Sequence, residues 1–152
     1  MRKVRPLPMV GGMLETVVRA LSKSDLFAAL RPDQLRKVAQ RGQLLQAARG
    51  ELILKEGDPS GAFFLVLSGS VTVSSDGRDV SELRPTDVIG EMGVLLGKPR
   101  TASVTADGPM VVLKFDGSVF DAMFERIPGF GMGICRALAN RLEETTGRQR
   151  FT

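Results

Sequence analysis

The sequence predicts an α+β fold: an antiparallel β-roll of the double-stranded β-helix or jelly-roll kind, flanked by N-terminal and C-terminal helices. Three observations predict it. Apolar residues recur with a helical period towards both ends of the chain, and with a period of two over residues 44–115. The short apolar runs in that middle zone are separated by Gly, Pro, Asp and Ser. Nothing in the zone resembles the strand–helix–strand unit that a parallel sheet requires.

The elements follow in order. Residues 1–12, punctuated by Pro6, Pro8, Gly11 and Gly12, read as a flexible arm whose Arg2, Lys3 and Arg5 are solvated charge. From Met13 to Gly42 the pattern is helical. Leu14, Val17, Val18 and Leu21 make one apolar stripe, and Leu26, Phe27 and Leu30 a short apolar turn. Pro32 opens a second helix, with Asp33 at its positive end and Leu35, Val38 and Ala39 facing inward. Gly42 stops it. The roll begins at Leu44, and its runs are Glu51–Lys55, Ala62–Leu67, Ser70–Ser74, Val80–Leu83, Thr101–Ala106 and Met110–Phe115. Turns lie between them, such as Gly57-Asp58-Pro59 and Asp76-Gly77. Residues 118–148 are helical again. A shorter helix around Phe120–Arg126 is broken at Pro128, and a longer one carries Phe130, Ile134, Leu138 and Leu142 four apart. Residues 149–152 form a tail. The predicted organisation is one domain over 13–148.

Composition excludes several function classes. The 152 residues contain no His and a single Cys. Ser-His and Cys-His nucleophiles, His-metal sites, internal disulfides and Cys-rich zinc sites are therefore ruled out. Cys135, in an apolar stretch, is expected to be a small core residue. No apolar run approaches the roughly 18 residues of a membrane span, and the first residues lack the pattern of a secretory signal. Cytoplasm is the expected compartment, without membrane insertion. With 21 Lys and Arg against 17 Asp and Glu the net charge is +4, a modest excess consistent with nucleic acid, an anionic membrane surface or an anionic small ligand.

The informative stretch runs from Ile89 to Ala106. Glu91–Leu95 suits one or two helical turns, Gly97-Lys98-Pro99 turns the chain, and a strand starts near Arg100. A short helix between strands presents unpaired backbone N–H groups at its start, which favour a phosphate. Gly90 and Gly93 remove bulk where an anion approaches the backbone, and Arg100 adds a planar fork of donors. Glu91 would repel a phosphate placed on it, and makes sense beside ligand hydroxyls such as those of a ribose. Taken alone, Glu91 and Arg100 fit a surface ion pair better than a site. Within the whole segment they point to a sugar phosphate.

The segment resembles the phosphate-binding cassette of the cyclic nucleotide-binding domain family. The matching residues are Gly90-Glu91, Pro99-Arg100-Thr101-Ala102 and Ala106. Upstream, Glu56-Gly57-Asp58 and Leu67-Ser68-Gly69-Ser70-Val71 are similar to the family's first two glycine turns, and Asp25-Leu26-Phe27-Ala28-Ala29-Leu30 to its N-terminal helical motif. The resemblance spans roughly residues 15–147. It implies that Glu91 accepts a hydrogen bond from the ribose 2′-hydroxyl and that Arg100 pairs with the cyclic phosphate. The backbone N–H groups of Met92, Gly93 and Thr101 would face the phosphate and the Gly90 carbonyl the ribose. Val73 and Val80 would line the base pocket, and the last helix would close over the base through Leu138, Arg141 or Leu142. Met92 and Gly93 depart from the family's commoner Leu and Ala, but keep the backbone donors.

The resemblance implies a non-catalytic sensor of cyclic AMP, with cyclic GMP as the second ligand because a Thr at position 101 can reach a guanine amino group. No further cofactor is expected. The expected partner is an effector protein or fused effector domain. The alternative is that these residues are one piece of a cyclic-nucleotide-gated channel, a kinase or a catabolite-activator-type transcription factor. Direct DNA binding is not expected, since no recognition helix follows Arg148 and Arg150.

Overall fold

The strand Ala62–Ser68 (β4) explains the layering. It is apolar at every position from Ala62 to Leu67, and Ala62–Val66 are all buried. A strand with only one covered face would alternate apolar and polar; this one is covered on both sides. Phe63 and Leu65 point into a core shared with the helices, whereas Phe64 and Val66 point into a second core between two sheets. Its neighbour Met110–Asp116 (β9) divides in the same way, with Leu113 and Phe115 on the helix side and Met110 and Val112 on the sheet side.

The computed structural model describes residues 4–59 and 61–151, and for Met92 and residues 145–151 the backbone alone. One sheet has five strands in the order β1 (Arg5–Leu7), β2 (Gln43–Ala47), β9, β4 and β7 (Val88–Ile89). The other has four: β3 (Leu52–Leu54), β8 (Ser103–Ala106), β5 (Val71–Ser75) and β6 (Arg78–Leu83). All of these pairings are antiparallel. The helices are α1 (Met13–Lys23), α2 (Pro32–Arg41), α3 (Glu91–Leu96), α4 (Gly117–Arg126) and α5 (Phe130–Phe151). The roll flanked by helices is thus as the sequence predicts.

Two cores hold the layers. On the helix side Phe27, Phe63, Phe115, Phe120 and Phe130 are all at most 2% exposed. Their rings meet at centroid distances of 4.9 Å (Phe63–Phe120) to 6.5 Å (Phe27–Phe63). Each buried Phe contributes roughly 1.5–3 kcal/mol of transfer free energy, and such ring pairs add specific geometry. Gln34 ties this layer together. Its side chain accepts from the Arg31 N–H at 2.9 Å and donates to the Pro128 carbonyl at 3.2 Å, joining the start of α2 to the corner between α4 and α5.

Three sequence expectations need correction. Within the expected arm, Arg5–Leu7 pairs with Gln46–Leu44. The free edge of β2 offers backbone partners there, which side-chain periodicity does not reveal. Cys135 is exposed on α5 instead of lying in the core. Leu142 is 68% exposed, although Phe130 and Ile134 on the same four-residue spacing are buried. Four-residue steps overshoot the helical turn by about 40° each, so after three steps the stripe has rotated by about 120° away from the core.

Candidate functional site

The site is built where β7 runs into α3. Gly90 caps α3 with φ +84°, a left-handed conformation that costs little only for glycine. A second reason is steric: a Cβ at Gly90 would meet Nη1 of Arg100 at 2.5 Å and its Cζ at 3.2 Å. Helix and guanidinium therefore approach each other more closely than a side chain at position 90 permits.

Arg100 is fixed at both ends. Its backbone N–H donates to the Asp58 carbonyl at 2.8 Å, and its carbonyl accepts from the Gly57 N–H at 2.9 Å. Its Nη1 donates to the Gly90 carbonyl at 2.9 Å and its Nη2 to the Ala62 carbonyl. The side chain is buried. Burial pushes its pKa below the ordinary arginine value, and the nearby Glu91 charge works in the opposite direction. An arginine remains cationic throughout the physiological range. The result is a buried, preoriented positive charge whose five donors are not exhausted by two carbonyl partners.

Glu91, at the first position of α3, is 6% exposed. Its Oε1 accepts from Nη1 of Arg141 on α5 at 2.7 Å. Nη2 of Arg141 reaches both carboxylate oxygens of Asp25 at 3.3 Å. Burial disfavours the charge of Arg141, but Glu91 and Asp25 outweigh it and hold the guanidinium above its ordinary pKa. The Glu91–Arg100 ion pair is therefore not the arrangement found: the salt-bridge partner of Glu91 is Arg141. Asp25 belongs to the segment after α1, so this network ties that segment and α5 to the start of α3.

A cavity of about 490 Å3 opens beside these groups, against the inner face of the four-stranded sheet. Gly90, Glu91, Gly93, Arg100, Thr101 and Val73, six of the residues singled out in the sequence, line it. The backbone of Met92 lies in the first turn of α3; its side chain is outside the described residues. Within an α-helix the first-turn N–H groups have no intrahelical acceptor. Thr101 is held by Ser75, whose hydroxyl donates to the Thr101 carbonyl at 3.0 Å.

Val80 is not in this wall; it is 59% exposed. The β5–β6 register steps from Val73↔Ser81 to Ser74↔Asp79, which leaves Val80 as the extra residue of a bulge. Ser81 and Leu83 line the cavity in its place. Leu138 packs against the helix-side core, and Leu142 faces away from it, so neither covers the cavity. Of the three α5 candidates, Arg141 bonds directly to a cavity residue, Glu91. Sequence reasoning also missed Lys98 and Leu96, which flank Arg100 in the lining. The Gly97-Lys98-Pro99 turn was their only signal. Asp25 gave none as a partner of Arg141, since 116 residues separate the two.

Residues 44–127 match the profile of the family described as "Cyclic nucleotide-binding domain". Among curated proteins, the acetyltransferase Pat of Mycolicibacterium smegmatis is 35% identical over 133 residues, 84% of this chain and 40% of its own length. The Pycsar effector protein XpPycTIR of Xanthomonas perforans is 31% identical over 129 residues, 84% of this chain and 42% of its own. The chain thus spans about two fifths of the length of these relatives. Among solved structures, the regulatory domain of Toxoplasma gondii PKA with cAMP superposes with a TM-score of 0.70 at 29% identity. That match covers 74% of this chain and 45% of the other. The family profile covers more than half of the sequence, from β2 to the end of α4: the chain belongs to the cyclic nucleotide-binding domain family.

Proposed function

We propose that this chain is a non-catalytic sensor of cyclic AMP, with cyclic GMP as its second ligand, which signals through α5. The observation that carries the reading is that buried Glu91 and buried Arg100 line one cavity at the start of α3. A ring-closed phosphodiester carries one negative charge and its ribose retains a hydroxyl donor. Arg100 and the first-turn amides of α3, including Met92 and Gly93, suit the phosphate together with the Thr101 N–H. Glu91 suits the 2′-hydroxyl, and the Gly90 carbonyl the ribose. Val73, with Leu83 and Ser81, would receive the base, and Thr101 would discriminate guanine from adenine. The preference for cyclic AMP is supported by the cAMP named for the Toxoplasma gondii regulatory domain.

The signal would leave the pocket through Glu91. This carboxylate already accepts from Arg141, so a ligand hydroxyl placed on it changes the surroundings of an α5 side chain. A ligand shifts α5 only by its difference in affinity for the two helix positions. The reader of α5 would be an effector domain or effector protein, as the names acetyltransferase Pat and Pycsar effector protein suggest for the relatives. The matched domain is non-catalytic, and any chemistry would belong to such an effector. We place the chain in the cytoplasm. An exposed free thiol at Cys135 suits a reducing compartment, and among the described residues no helix is long and apolar enough to cross a membrane.

The test is thermal unfolding and calorimetric titration with cyclic AMP, cyclic GMP, linear AMP and a cyclic dinucleotide. A ligand at 100 times its Kd stabilises by about 2.7 kcal/mol. For a chain of this size that raises Tm by roughly 5–10 °C. Cyclic AMP should give the largest shift, cyclic GMP a smaller one and linear AMP little. Equal shifts with linear and cyclic AMP would remove the cyclic phosphate from the reading.

A further inference from the structure

A second concave surface lies on the opposite side of the five-stranded sheet from the nucleotide cavity. α2 and α4 run past each other there and leave a groove of about 240 Å3. Its floor is apolar: Val38 and Met123 are buried, and Ile127 packs beside them in the helix-side core. Its rim is cationic, with Lys37 and Arg41 on α2 and Arg126 on α4, all exposed. No acidic residue lines it. Among the described residues none of the three cations forms an ion pair, whereas Arg31 and Arg36, on or beside the same helix α2, each have a carboxylate partner. Arg41 and Arg126 each sit in the last turn of their helix, where a positive charge is stabilised by the negative end of the helix dipole. Lys37 is a full turn earlier and has no such role.

We propose that this groove docks an acidic, apolar segment of a partner protein. Two features of the groove point to that occupant. Cations stand on both helical walls, so a linear segment lying between the helices meets positive charge on either side of its path. The floor is a pocket only large enough for one or two bulky side chains, which suits a single anchoring Leu or Phe flanked by carboxylates. Charge-assisted hydrogen bonds from the rim would orient the segment and the apolar anchor would hold it. A flat anionic membrane would meet the rim but leave the recessed floor unfilled. The groove shares no lining residue with the nucleotide cavity. The site stands or falls independently of the sensor function.

The test is fluorescence anisotropy with a fluorescein-labelled peptide of repeating Glu-Glu-Leu-Leu, beside a twin with Gln for Glu and beside vesicles of phosphatidylglycerol. The acidic peptide should bind saturably and the Gln twin at least about tenfold more weakly. Lys37→Glu with Arg126→Glu should weaken the acidic peptide by about tenfold or more, and Ala122→Glu, at the edge of the floor, similarly. Lys37→Gln with Arg126→Gln should give a smaller loss in the same direction. Arg49→Glu with Arg78→Glu reverses as much charge on exposed positions away from the groove and should leave Kd within about twofold. Far-UV circular dichroism and urea unfolding report that each variant is folded. The proposal is overturned if both charge-reversal pairs weaken the peptide equally, if no saturable binding occurs, or if vesicles alone are captured and released by the groove variants.

Discussion

Gly90→Ala isolates the contact on which the proposed nucleotide site rests. Two penalties add at this position. An L-residue at φ +84° costs about 1–2 kcal/mol. The new Cβ would also lie 2.5 Å from Nη1 of Arg100, so the guanidinium must move. Moving it breaks the 2.9 Å bond to the Gly90 carbonyl and disturbs the bond to Ala62. Hydrogen bonds from a charged donor are worth about 1.5–3 kcal/mol, so the total loss is about 2.5–5 kcal/mol. Gly97→Ala is the internal control. Its φ is +64°, yet nothing lies within 4 Å of a Cβ placed there, so it carries the backbone penalty alone. Urea unfolding should show Gly90→Ala less stable than Gly97→Ala by about 2 kcal/mol. Calorimetric titration with cyclic AMP should show Kd raised about tenfold or more for Gly90→Ala, and within about threefold of wild type for Gly97→Ala. Equal stability and equal Kd for the two variants would refute the claim that a glycine at 90 is what allows Arg100 into the site.

Arg100→Ala should leave a folded protein whose affinity for cyclic AMP is reduced about a hundredfold or more, measured by calorimetry; near wild-type affinity would take Arg100 out of the site. Thr101→Ala should weaken cyclic GMP more than cyclic AMP, by at most about tenfold for one neutral hydrogen bond; equal losses would show that Thr101 does not read the base. Arg141→Ala removes the partner of a buried Glu91 carboxylate but also an arginine that is half in solvent. It should cost about 1–2 kcal/mol in urea unfolding, and no change would mean that the Glu91 bond does not hold α5. Phe63→Ala, at a fully buried ring 5.0 Å from Phe115 and 4.9 Å from Phe120, should cost about 3–5 kcal/mol; a loss under about 1 kcal/mol would mean that this core collapses around the cavity.

The roll was legible because its main strands carry their burial in their composition. β4 and β9 are covered on both faces and read as nearly continuous apolar runs. β1 and β7, of three and two residues, are too short for any period, and they exist because neighbouring strands offer unpaired backbone. The cassette was legible because close packing at Gly90 and Arg100 demands particular residue types at fixed separation. Val80 was misplaced for a local reason: one bulge residue inverts the in–out alternation, which assumes an unbroken ladder. Arg141 was one of three equal candidates on α5, and only the third dimension separates them. The helix phase sends Leu138 to the core and Leu142 to solvent, leaving Arg141 between them to reach Glu91.

Two of the charged groups that line the cavity, Glu91 and Arg100, are attached to different parts of the molecule, and this asymmetry bears on how binding could be transmitted. Arg100 is bonded to Gly57, Asp58, Ala62 and Gly90, all within the roll and the turn into α3. A phosphate that met only this group would contact the rigid body and gain nothing by moving a helix. Glu91 is bonded instead to Arg141, and through it to Asp25, so its surroundings include α5 and the segment after α1. Inorganic phosphate or a nucleotide lacking the 2′-hydroxyl could therefore occupy the Arg100 side without changing the environment of Arg141. Only a ligand that carries both an anionic ester and a nearby hydroxyl spans the fixed and the linked group together. The chemistry that would select the ligand is then also the chemistry that would couple it to the helix.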